Sequence, residues 1–467
     1  MFKKFTKRLN QVSEFEREPI PKENQKGLRS FLGMYAGEHT AGTEFVIGPL
    51  FVVHGAAAFD LVVGLLVGNL LAVLSWAFIV APIAVKEKIT LYYKLEKICG
   101  RRLTGIYNVV NALMFCFLAG SMIAVSSTAV GIPFGLPMPT LDDWLPSSVM
   151  WVVIVGVVGA ITTIVAMLGY DEVSRFANIA APWMILVFIG AAVAVLPELG
   201  VSRPGDFWEV AQNKIWTGQV MEGQSKFTIW HIIFFSWFAN MAMHIGMADL
   251  SILRYAKKWQ YGFSSASGIF VGHYIAWLAS GILYAVFLQK SQGSLEFAPG
   301  PIAFYAAGAA GAICVIIAGW TTANPTIYRA GLAAQSIFPK FKTWKITLIV
   351  GGITTLAACF PALVMKLLEF VALYGLLLMP MGAIIFADFY FYKKLKLIPE
   401  WASHSGSLFN GAAGWSWFLT LLTCLGLAYF LGIEIYFLGL PGWFLAVIFY
   451  IIFGKWYQSR HKINLAS

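Results

Sequence analysis

Two glutamates stand in a segment that otherwise has the composition of a membrane-spanning helix. The segment is GMYAGEHTAGTEFVIGPLF, residues 33–51, and its carboxylates belong to Glu38 and Glu44. Placing one carboxylate at the middle of a bilayer costs about 2.5–3.5 kcal/mol on insertion scales, so each needs a partner or a purpose. Residues six positions apart lie about 240° around an unbroken helix, so one face holds both only if the helix opens near Gly42.

The sequence leaves several roles open for these two carboxylates. Each could be protonated or hydrogen-bonded inside a helix bundle and serve structure alone. Alternatively, one could be the counter-charge at a cation site, a proton-coupling carboxylate, or the partner of a cationic or amide-rich substrate. Burial disfavours an ionised carboxyl whereas a nearby cation favours it, which is the behaviour that a coupling group needs.

Two further apolar segments carry polar side chains. FFSWFANMAMHIGMADL, residues 234–250, contains Asn240 and His244, and IIAGWTTANPTIYRAGL, residues 316–332, contains Thr321 and Thr322. These hydroxyls could bond the preceding helical turn or ligate an ion, and Asn240 could pack between helices or contact a ligand. Polar, interrupted helices at matching positions of two halves are the best sequence indication of a transporter site.

Composition defines the elements that must position these residues. With 59% hydrophobic residues, 12% charged residues and a mean hydropathy of +0.73, the chain is not an ordinary soluble protein. Its apolar runs are too long for transmembrane strands and fit helices of about 20 residues. We therefore predict an all-α polytopic membrane protein with twelve transmembrane helices, at residues 30–54, 57–84, 104–132, 148–168, 176–198, 227–249, 264–289, 302–327, 346–363, 366–390, 413–433 and 436–455.

The distribution of basic residues orients these spans. With both termini in the cytosol, 28 of the 33 lysines and arginines fall in cytosolic segments, and this count includes Arg329 after span 8. Such asymmetry follows the positive-inside rule and explains the net charge of +10 without nucleic-acid binding. The expected location is a plasma membrane, the bacterial cytoplasmic one. The five cysteines have no metal-binding spacing, and we expect neither disulfides nor an organic cofactor.

Three segments resemble the nucleobase–cation symport-1 family, the purine and cytosine permeases. They are LLVGNLLAVL at residues 65–74, SWFANMAMHIG at 236–246 with RYAKK after it, and WTTANPTIYRAGLA at 320–333. The resemblance implies a LeuT-like fold with two inverted five-helix repeats and two peripheral helices. The implied segments are a cytosolic tail at 1–29, a first repeat at 30–199, an external loop at 200–226, a second repeat at 227–390, spans 11 and 12 at 391–455, and a cytosolic tail at 456–467.

The resemblance also implies the site. Sodium would be held by the hydroxyls of Thr321 and Thr322 and by backbone carbonyls near Glu38 and Ala41. A planar substrate would lie between aromatic rings near the helix breaks. The ring from span 3 has no clean counterpart, and Phe115, Phe117 and Met122 are alternatives. The implied substrate-binding residues are Gly42, Thr43, Glu44, Phe117, Trp237, Phe238, Asn240 and Asn324.

We expect a secondary transporter for a nucleobase-like or related small heterocycle, coupled to Na⁺ in preference to H⁺. The alternative is a carrier of the same fold for an amino acid, an amine or another small cation, coupled to protons through Glu38 and Glu44. We do not expect an enzyme, because the sequence has no GxSxG, HExxH or glycine-rich phosphate loop. The expected partners are the lipid bilayer and the small-molecule substrate, without nucleic acid.

Overall fold

A computed structural model describes residues 9, 14–136, 138–139, 143–290, 299–365 and 367–461. The predicted terminal tails, 1–29 and 456–467, therefore lie partly outside the described residues. Regular structure in the described ranges is helical, apart from two isolated bridges, Lys26 with Ala256 and Ala57 with Thr217.

The first half contains seven main helices. They are α1 (Leu28–His39), α2 (Glu44–Val53), α3 (Ala58–Glu87, with a π-helical turn at Trp76–Val80), α4 (Leu91–Cys99), α5 (Arg101–Val130), α6 (Val149–Met167) and α7 (Tyr170–Val195). Short helices follow at Ile132–Phe134, Leu196–Leu199, Pro204–Asp206, Phe207–Val210 and Ala211–Ile215.

The second half begins with a helix of ten residues, and its fourth helix is the longest of those described. Its helices are α8 (Ile229–Phe238), α9 (Leu250–Leu253), α10 (Trp259–Lys290, with a π-helical stretch at Ile269–Tyr274), α11 (Pro299–Ile337), α12 (Thr343–Ala358), α13 (Leu367–Ala387, extended by Asp388–Tyr392), α14 (Gly411–Leu431) and α15 (Ile435–Arg460). Short helices lie at Pro361–Met365 and Trp401–Ser405, and α11 is kinked at Gly308 (φ 57°). One further short helix, Lys22–Asn24, precedes α1 in the first half.

Caps fix several of these helix ends. The Thr90 hydroxyl accepts from the Tyr93 N–H at 3.1 Å and so begins α4, and Gly100 (φ 81°) ends it. The Ser148 hydroxyl accepts from the Trp151 N–H at 3.1 Å at the start of α6. These side chains satisfy N–H groups that the first helical turn leaves unpaired.

Nine helices in the described part of the chain are long and apolar enough to cross a membrane. The apolar helices α2, α8 and α12 are shorter, with 10 to 17 residues each. The predicted positions of spans 4 and 12 agree closely with α6 and α15. The helical, membrane-spanning class is thus confirmed, whereas the count of twelve spans stays a prediction.

Helices from the two halves pack against each other around the centre. α5 runs along α11, α2 packs on α10, and α3 packs on α8. A Cβ atom at Gly48 of α2 would lie only 2.5 Å from the Trp277 carbonyl oxygen of α10, so this crossing requires glycine. The close approach brings the start of α2, and with it Glu44, next to Trp277.

Candidate functional site

The first predicted span is broken in the middle. α1 ends at His39, the four residues 40–43 lie outside regular helix, and α2 begins at Glu44. A Cβ atom at Gly42 would lie 2.7 Å from the Val125 side chain and 3.3 Å from the Val315 carbonyl oxygen. Glycine therefore lets the break fit between α5 and α11. The expected opening near Gly42 is observed.

The sixth predicted span is broken as well. α8 ends at Phe238 and the short α9 begins only at Leu250, with a series of turns between them. Met247 has φ of 62°, a left-handed conformation that non-glycine residues seldom adopt. His244 Nε2 donates to the Trp237 carbonyl at 2.8 Å across this region. The bond replaces part of the helical hydrogen bonding that the break removes.

A cavity of about 290 Å³ lies between the two breaks. Both broken spans line it, together with α5, α10, α11, α13 and the start of α15. Its polar lining residues are Glu38, His39, Thr43, Glu44, Asn240, His273, Thr322, Thr326 and Glu434, and its aromatic ones are Phe235, Phe238, Trp277, Tyr374 and Tyr436. The volume is near the lower end of the usual range for small-molecule sites.

Glu38 belongs to a set of fixed charges that we call the arginine cluster: Glu38, Asp249 and Arg329. Arg329 Nη1 and Nη2 donate to the two Glu38 carboxylate oxygens at 2.5 and 3.0 Å. Arg329 Nη2 also donates to Asp249 Oδ1 at 2.6 Å. Asp249 Oδ2 accepts from the Tyr35 hydroxyl at 3.0 Å and from the Trp76 indole at 2.7 Å. The cluster therefore ties both broken spans to α3 and α11.

Glu44 belongs to a different set, the histidine cluster: His39, Glu44 and His273. The Glu44 carboxylate accepts from the Trp277 indole and lies 3.5 Å from His273 Nε2. The rings of His39 and His273 are 4.7 Å apart, and His273 stacks on Trp277 at 4.5 Å. Glu44 is 2% exposed. Among the described residues, the side chains within bonding reach of this carboxylate are those of Trp277 and His273, and neither lysine nor arginine is one of them.

Two of the predicted sodium ligands face each other. The Thr322 hydroxyl donates to the Glu38 carbonyl oxygen at 2.9 Å, and Thr322 lines the cavity together with Ala41. Both hydroxyls also lie within hydrogen-bond distance of the Ala318 carbonyl oxygen, Thr321 at 3.0 Å and Thr322 at 3.1 Å, and the Thr321 hydroxyl lies 3.6 Å from the Met184 sulfur. The structure thus brings Glu38, Ala41 and Thr322 together, while the Thr321 side chain bonds its own helix and contacts α7.

The predicted substrate residues divide into two groups. Four of them line the cavity, and these are Thr43, Glu44, Phe238 and Asn240. The other four lie outside its lining, and these are Gly42, Phe117, Trp237 and Asn324. Trp237 stacks on Phe238 at 4.6 Å and donates its indole N–H to Ser75 at 3.0 Å. From α5 the cavity receives Leu118 and Met122, and Met122 is one of the alternatives for span 3.

Three residues that line the cavity are not among those predicted from the sequence, and a fourth residue of the site is predicted in the wrong place. His39, His273 and Trp277 line the cavity, yet each is an ordinary core residue by type. The sequence predicts Arg329 in a cytosolic loop after span 8, and this prediction is wrong because α11 continues to Ile337 and the arginine is completely buried. A usable signal was the uninterrupted helical composition from Thr326 to Gln335, which contains no glycine-proline step or turn motif.

The N-terminal segment covers the end of the molecule beyond the arginine cluster. Arg254, fully buried after α9, donates to the backbone carbonyls of Glu14 and Phe15 at 2.6 and 2.9 Å. The Glu14 carboxyl accepts from the hydroxyls of Tyr255 and Tyr328 at 2.8 and 2.6 Å. Burial raises the pKa of Glu14, and the nearby Arg254 only partly opposes this. The segment thereby links the residues that follow α9 to α11.

Comparison with known proteins finds similarity in structure but not in sequence. No family model matches the chain, and no characterised protein matches it by sequence. Mhp1, a nucleobase-cation-symport-1 family transporter in a closed conformation with bromovinylhydantoin bound, superposes with a TM-score of 0.72 at 15% identity, over 95% of this chain and 96% of that one. A Na⁺-coupled sialic acid symporter gives 0.66 at 14% identity, over 97% and 96%.

A more distant match is the manganese transporter of Eremococcus coleocola, with a TM-score of 0.53 at 12% identity over 96% of this chain and 98% of that one. All three similar proteins are transporters rather than enzymes, and the first two are symporters by their descriptions. At these identities the likeness concerns the fold. It confirms the predicted LeuT-like architecture and the structural resemblance to a nucleobase–cation symporter.

Proposed function

We propose that this protein is a secondary active transporter that takes up a nucleobase-like or related small heterocycle together with a cation, by alternating access. The observation that carries the proposal is the position of the cavity, which lies at the breaks of both interrupted spans. Broken helices expose backbone carbonyls and N–H groups that bind ions and polar ligands at membrane depth. The proposed location is a bacterial cytoplasmic membrane, with both termini in the cytosol.

A planar heterocycle suits the chemistry of the lining. Phe238 is 1% exposed and presents its ring to the cavity, while Trp237 stacks behind it and is held by Ser75. Aromatic stacking of this kind favours flat, polarisable rings. The hydroxyl of Thr43, the amide of Asn240 and the carboxylate of Glu44 supply hydrogen-bonding groups around that surface. We infer that Phe238 is the stacking residue and that Trp237 positions it.

Sodium is the proposed coupling ion. Oxygen ligands suit a hard cation, and the Thr322 hydroxyl faces the Glu38 carbonyl at 2.9 Å, next to Ala41. The Thr321 hydroxyl and the Ala318 carbonyl lie on the same helical turn, at 3.0 Å from each other. We propose that these oxygens hold the ion at the first break, with Thr322 as the side-chain ligand closest to the cavity.

The negative charge around the cavity favours a second function. The cavity lining includes the carboxylates of Glu38, Glu44 and Glu434, and its described members include neither lysine nor arginine. One guanidinium, that of Arg329, is shared by Glu38 and Asp249, so the surroundings carry excess negative charge when the acids are ionised. Such a cavity also suits an amine, an amino acid or another small cation bound by Glu44 and coupled to protons.

Uptake into proteoliposomes distinguishes these functions. Purified protein would be tested with labelled purines, pyrimidines, hydantoins and small organic cations, under a sodium gradient and a pH gradient applied separately. The proposal predicts accumulation of a heterocycle driven by sodium. Competition by cations but not by any heterocycle would instead establish the carrier of cations, and accumulation with neither gradient would contradict coupled transport.

Replacing each threonine singly tests the sodium site. We expect Thr322→Ala to raise the sodium concentration for half-maximal uptake about tenfold, since one lost ligand at roughly 1.4 kcal/mol has that effect. Thr321→Ala should change it less, because the Thr321 hydroxyl faces the Met184 sulfur whereas the Thr322 hydroxyl faces the Glu38 carbonyl. Thr347→Ala, whose hydroxyl donates to the Thr343 carbonyl in α12, is the matched control. Unchanged sodium dependence in Thr322→Ala would exclude this site.

A further inference from the structure

The connection between α14 and α15 carries a single charged side chain. It reads GIEIY at residues 432–436, and Glu434 is the only aspartate, glutamate, lysine or arginine between positions 401 and 454 of the sequence. α14 ends at Leu431, Gly432 turns the chain with φ of 63°, and α15 begins at Ile435. A lone carboxylate between two apolar spans calls for a partner or a function.

The packing around Glu434 makes little use of its carboxylate. Glu434 is the N-cap residue of α15, where an acidic side chain commonly accepts from the first N–H groups of the helix, yet it makes no such bond. Its Oε1 atom lies 3.9 Å from His231 Nε2, too far for a hydrogen bond. Its Oε2 atom is buried and has no hydrogen-bond partner among the described residues. The carboxylate is therefore free to accept from a ligand.

The same connection forms part of the cavity wall. Glu434, Ile435 and Tyr436 all line the cavity. The hydroxyl of Tyr436 is likewise buried without a hydrogen-bond partner in the described part of the chain, and its ring packs edge-on against Phe235 at 6.1 Å. Buried polar atoms are normally satisfied, so two unsatisfied oxygens on one wall of a cavity indicate that a ligand completes them. An ionised carboxylate can only accept, and a hydroxyl can accept as well.

We propose that Glu434 and Tyr436 form a subsite of the cavity that binds a hydrogen-bond-donating group of the ligand, an ammonium or an N–H. The inference deepens the proposed function and rests on it for the identity of the transported ligand. It also extends the binding site to α15, which corresponds to span 12, whereas the family resemblance places spans 11 and 12 at the periphery.

Aromatic contacts hold the subsite against the broken span at α8. The ring of Phe437 lies 5.2 Å from that of Phe234 and 5.2 Å from that of His231, and His231 in turn stacks on Phe227 at 5.6 Å. Phe234 and His231 both belong to α8, which ends at Phe238, the proposed stacking residue. The subsite therefore keeps its position relative to Phe238, so one ligand can stack its ring and present a donor to the carboxylate.

The charge of Glu434 can be isolated by the choice of pH. Burial raises the pKa of the Glu434 carboxyl, and the nearby His54 partly opposes this. At pH 8 an imidazole with an ordinary pKa of about 6.5 is neutral, so His54 and His231 then add no positive charge beside it. The same pH lies far above the ordinary glutamate pKa of about 4.3 and keeps the carboxylate ionised.

A cysteine next to Glu434 measures this charge without an identified ligand. Ile435 lines the cavity and the five native cysteines are buried, so Ile435→Cys can be labelled selectively at pH 8 with a cationic and an anionic methanethiosulfonate of similar size. Intact mass gives the two rates. Adding Glu434→Gln should lower the ratio of the cationic to the anionic rate about tenfold, the effect of one carboxylate on opposite charges about 6 Å away in water.

Glu198→Gln in the Ile435→Cys protein is the matched control. Glu198 pairs with Lys290 and its side chain is 41% exposed, so this change removes a carboxylate outside the cavity lining and should leave the ratio unchanged. A cysteine at position 435 that stays unlabelled in folded protein, as judged by size-exclusion chromatography, would overturn the subsite. A ratio that Glu434→Gln leaves unchanged would overturn it as well.

Guanidinium, a small cation with N–H donors, probes binding at the subsite. Compared with an equal concentration of sodium chloride, guanidinium chloride should slow the labelling of Ile435→Cys by the neutral reagent N-ethylmaleimide several-fold. Glu434→Gln should abolish this protection, and Tyr436→Phe should weaken it. Absent protection, or equal protection in all three proteins, would contradict a donor-binding subsite. These measurements are independent of uptake, so the subsite and the transport function can fail separately.

Discussion

The arginine cluster and the histidine cluster place two buried glutamates beside different partners. Each surrounds a glutamate from the same broken span, Glu38 beside a guanidinium in one case and Glu44 beside an imidazole in the other. Glu38 has a permanent charge partner, because guanidinium stays protonated in proteins. Glu44 has an imidazole, whose charge depends on pH. The difference separates a carboxylate that holds the helices together from one that can respond to a cation, a proton or a ligand.

The geometry of the arginine cluster supports a structural role. Arg329 binds Glu38 through two parallel bonds, the arrangement in which guanidinium and carboxylate match best. Asp249, which accepts from Tyr35 and Trp76 as well, is saturated with donors. Since the three residues come from α1, α11 and the turns before α9, opening the molecule at this level requires separating buried charges. In this conformation the arginine cluster therefore holds α1, α11 and the turns before α9 together.

Removing the shared cation should have the largest effect. Arg329→Gln leaves Glu38 and Asp249 buried side by side without a positive charge, so we expect a loss of about 3–5 kcal/mol in the free energy of unfolding. Arg329→Lys should recover only part of it, because an ammonium cannot form the bidentate pair. The measurement is thermal unfolding in detergent, followed by size-exclusion chromatography.

The control for this loss is Arg175→Gln. Arg175 pairs with Glu172 on the surface of α7 with its side chain 66% exposed, so its replacement should change stability by about 1 kcal/mol or less. An Arg329→Gln protein as stable as the Arg175→Gln protein would show that the arginine cluster does not hold the helices together.

Replacing each of the two glutamates by glutamine should lower the free energy of unfolding by clearly different amounts. Glu38→Gln removes one partner from a buried guanidinium, and we expect a loss of about 2–3 kcal/mol. Glu44→Gln replaces a carboxyl without a permanent cation by an amide of the same shape, so the loss should be about 1 kcal/mol or less. The same melting experiment measures both. Equal destabilisation would contradict the distinction between the clusters, and a larger loss for Glu44→Gln would reverse it.

The fold was largely predictable from the sequence, since membrane helices are defined by local composition. Span 4 was placed at 148–168 and α6 extends over Val149–Met167, because a single apolar run bounded by Ser148 and a glycine determines both. The break of the first span was also predictable, because carboxylates and small residues cannot continue an ordinary lipid-facing helix. Glu44, Thr43, Asn240 and Phe238 were found by the same reasoning.

The pairing of charges was not predictable from the sequence. Glu38 and Arg329 lie 291 positions apart, and Asp249 and Arg329 lie 80 apart, so only the packing of α1 and α11 brings them together. Counting Arg329 among loop residues followed from treating a charged residue as the end of an apolar span. His39 and His273 were not predicted, because their residue type does not distinguish them from ordinary buried histidines. Only the structure shows their unpaired nitrogens near a carboxylate.

The smallest effect on stability is expected at Glu400, a paired carboxylate outside the membrane spans. Its ion pairs make this effect depend on pH. Glu400 binds Lys94 at 2.6 Å and Lys97 at 2.7 Å. Burial alone would raise the Glu400 pKa, but the two ammonium groups outweigh it and lower the pKa below its usual value. A carboxyl with a lowered folded-state pKa adds stability above its unfolded-state pKa, about 4.3 for glutamate, and loses it as pH falls through the folded value.

We therefore expect Glu400→Gln to lower the melting temperature at neutral pH by an amount equivalent to about 1 kcal/mol or less, and to converge with the wild type as the pH falls below about 4. Glu172→Gln, which affects an exposed pair, should follow the wild type throughout. A difference between Glu400→Gln and the wild type that grows toward acid pH would have the wrong sign for an ion-paired carboxylate.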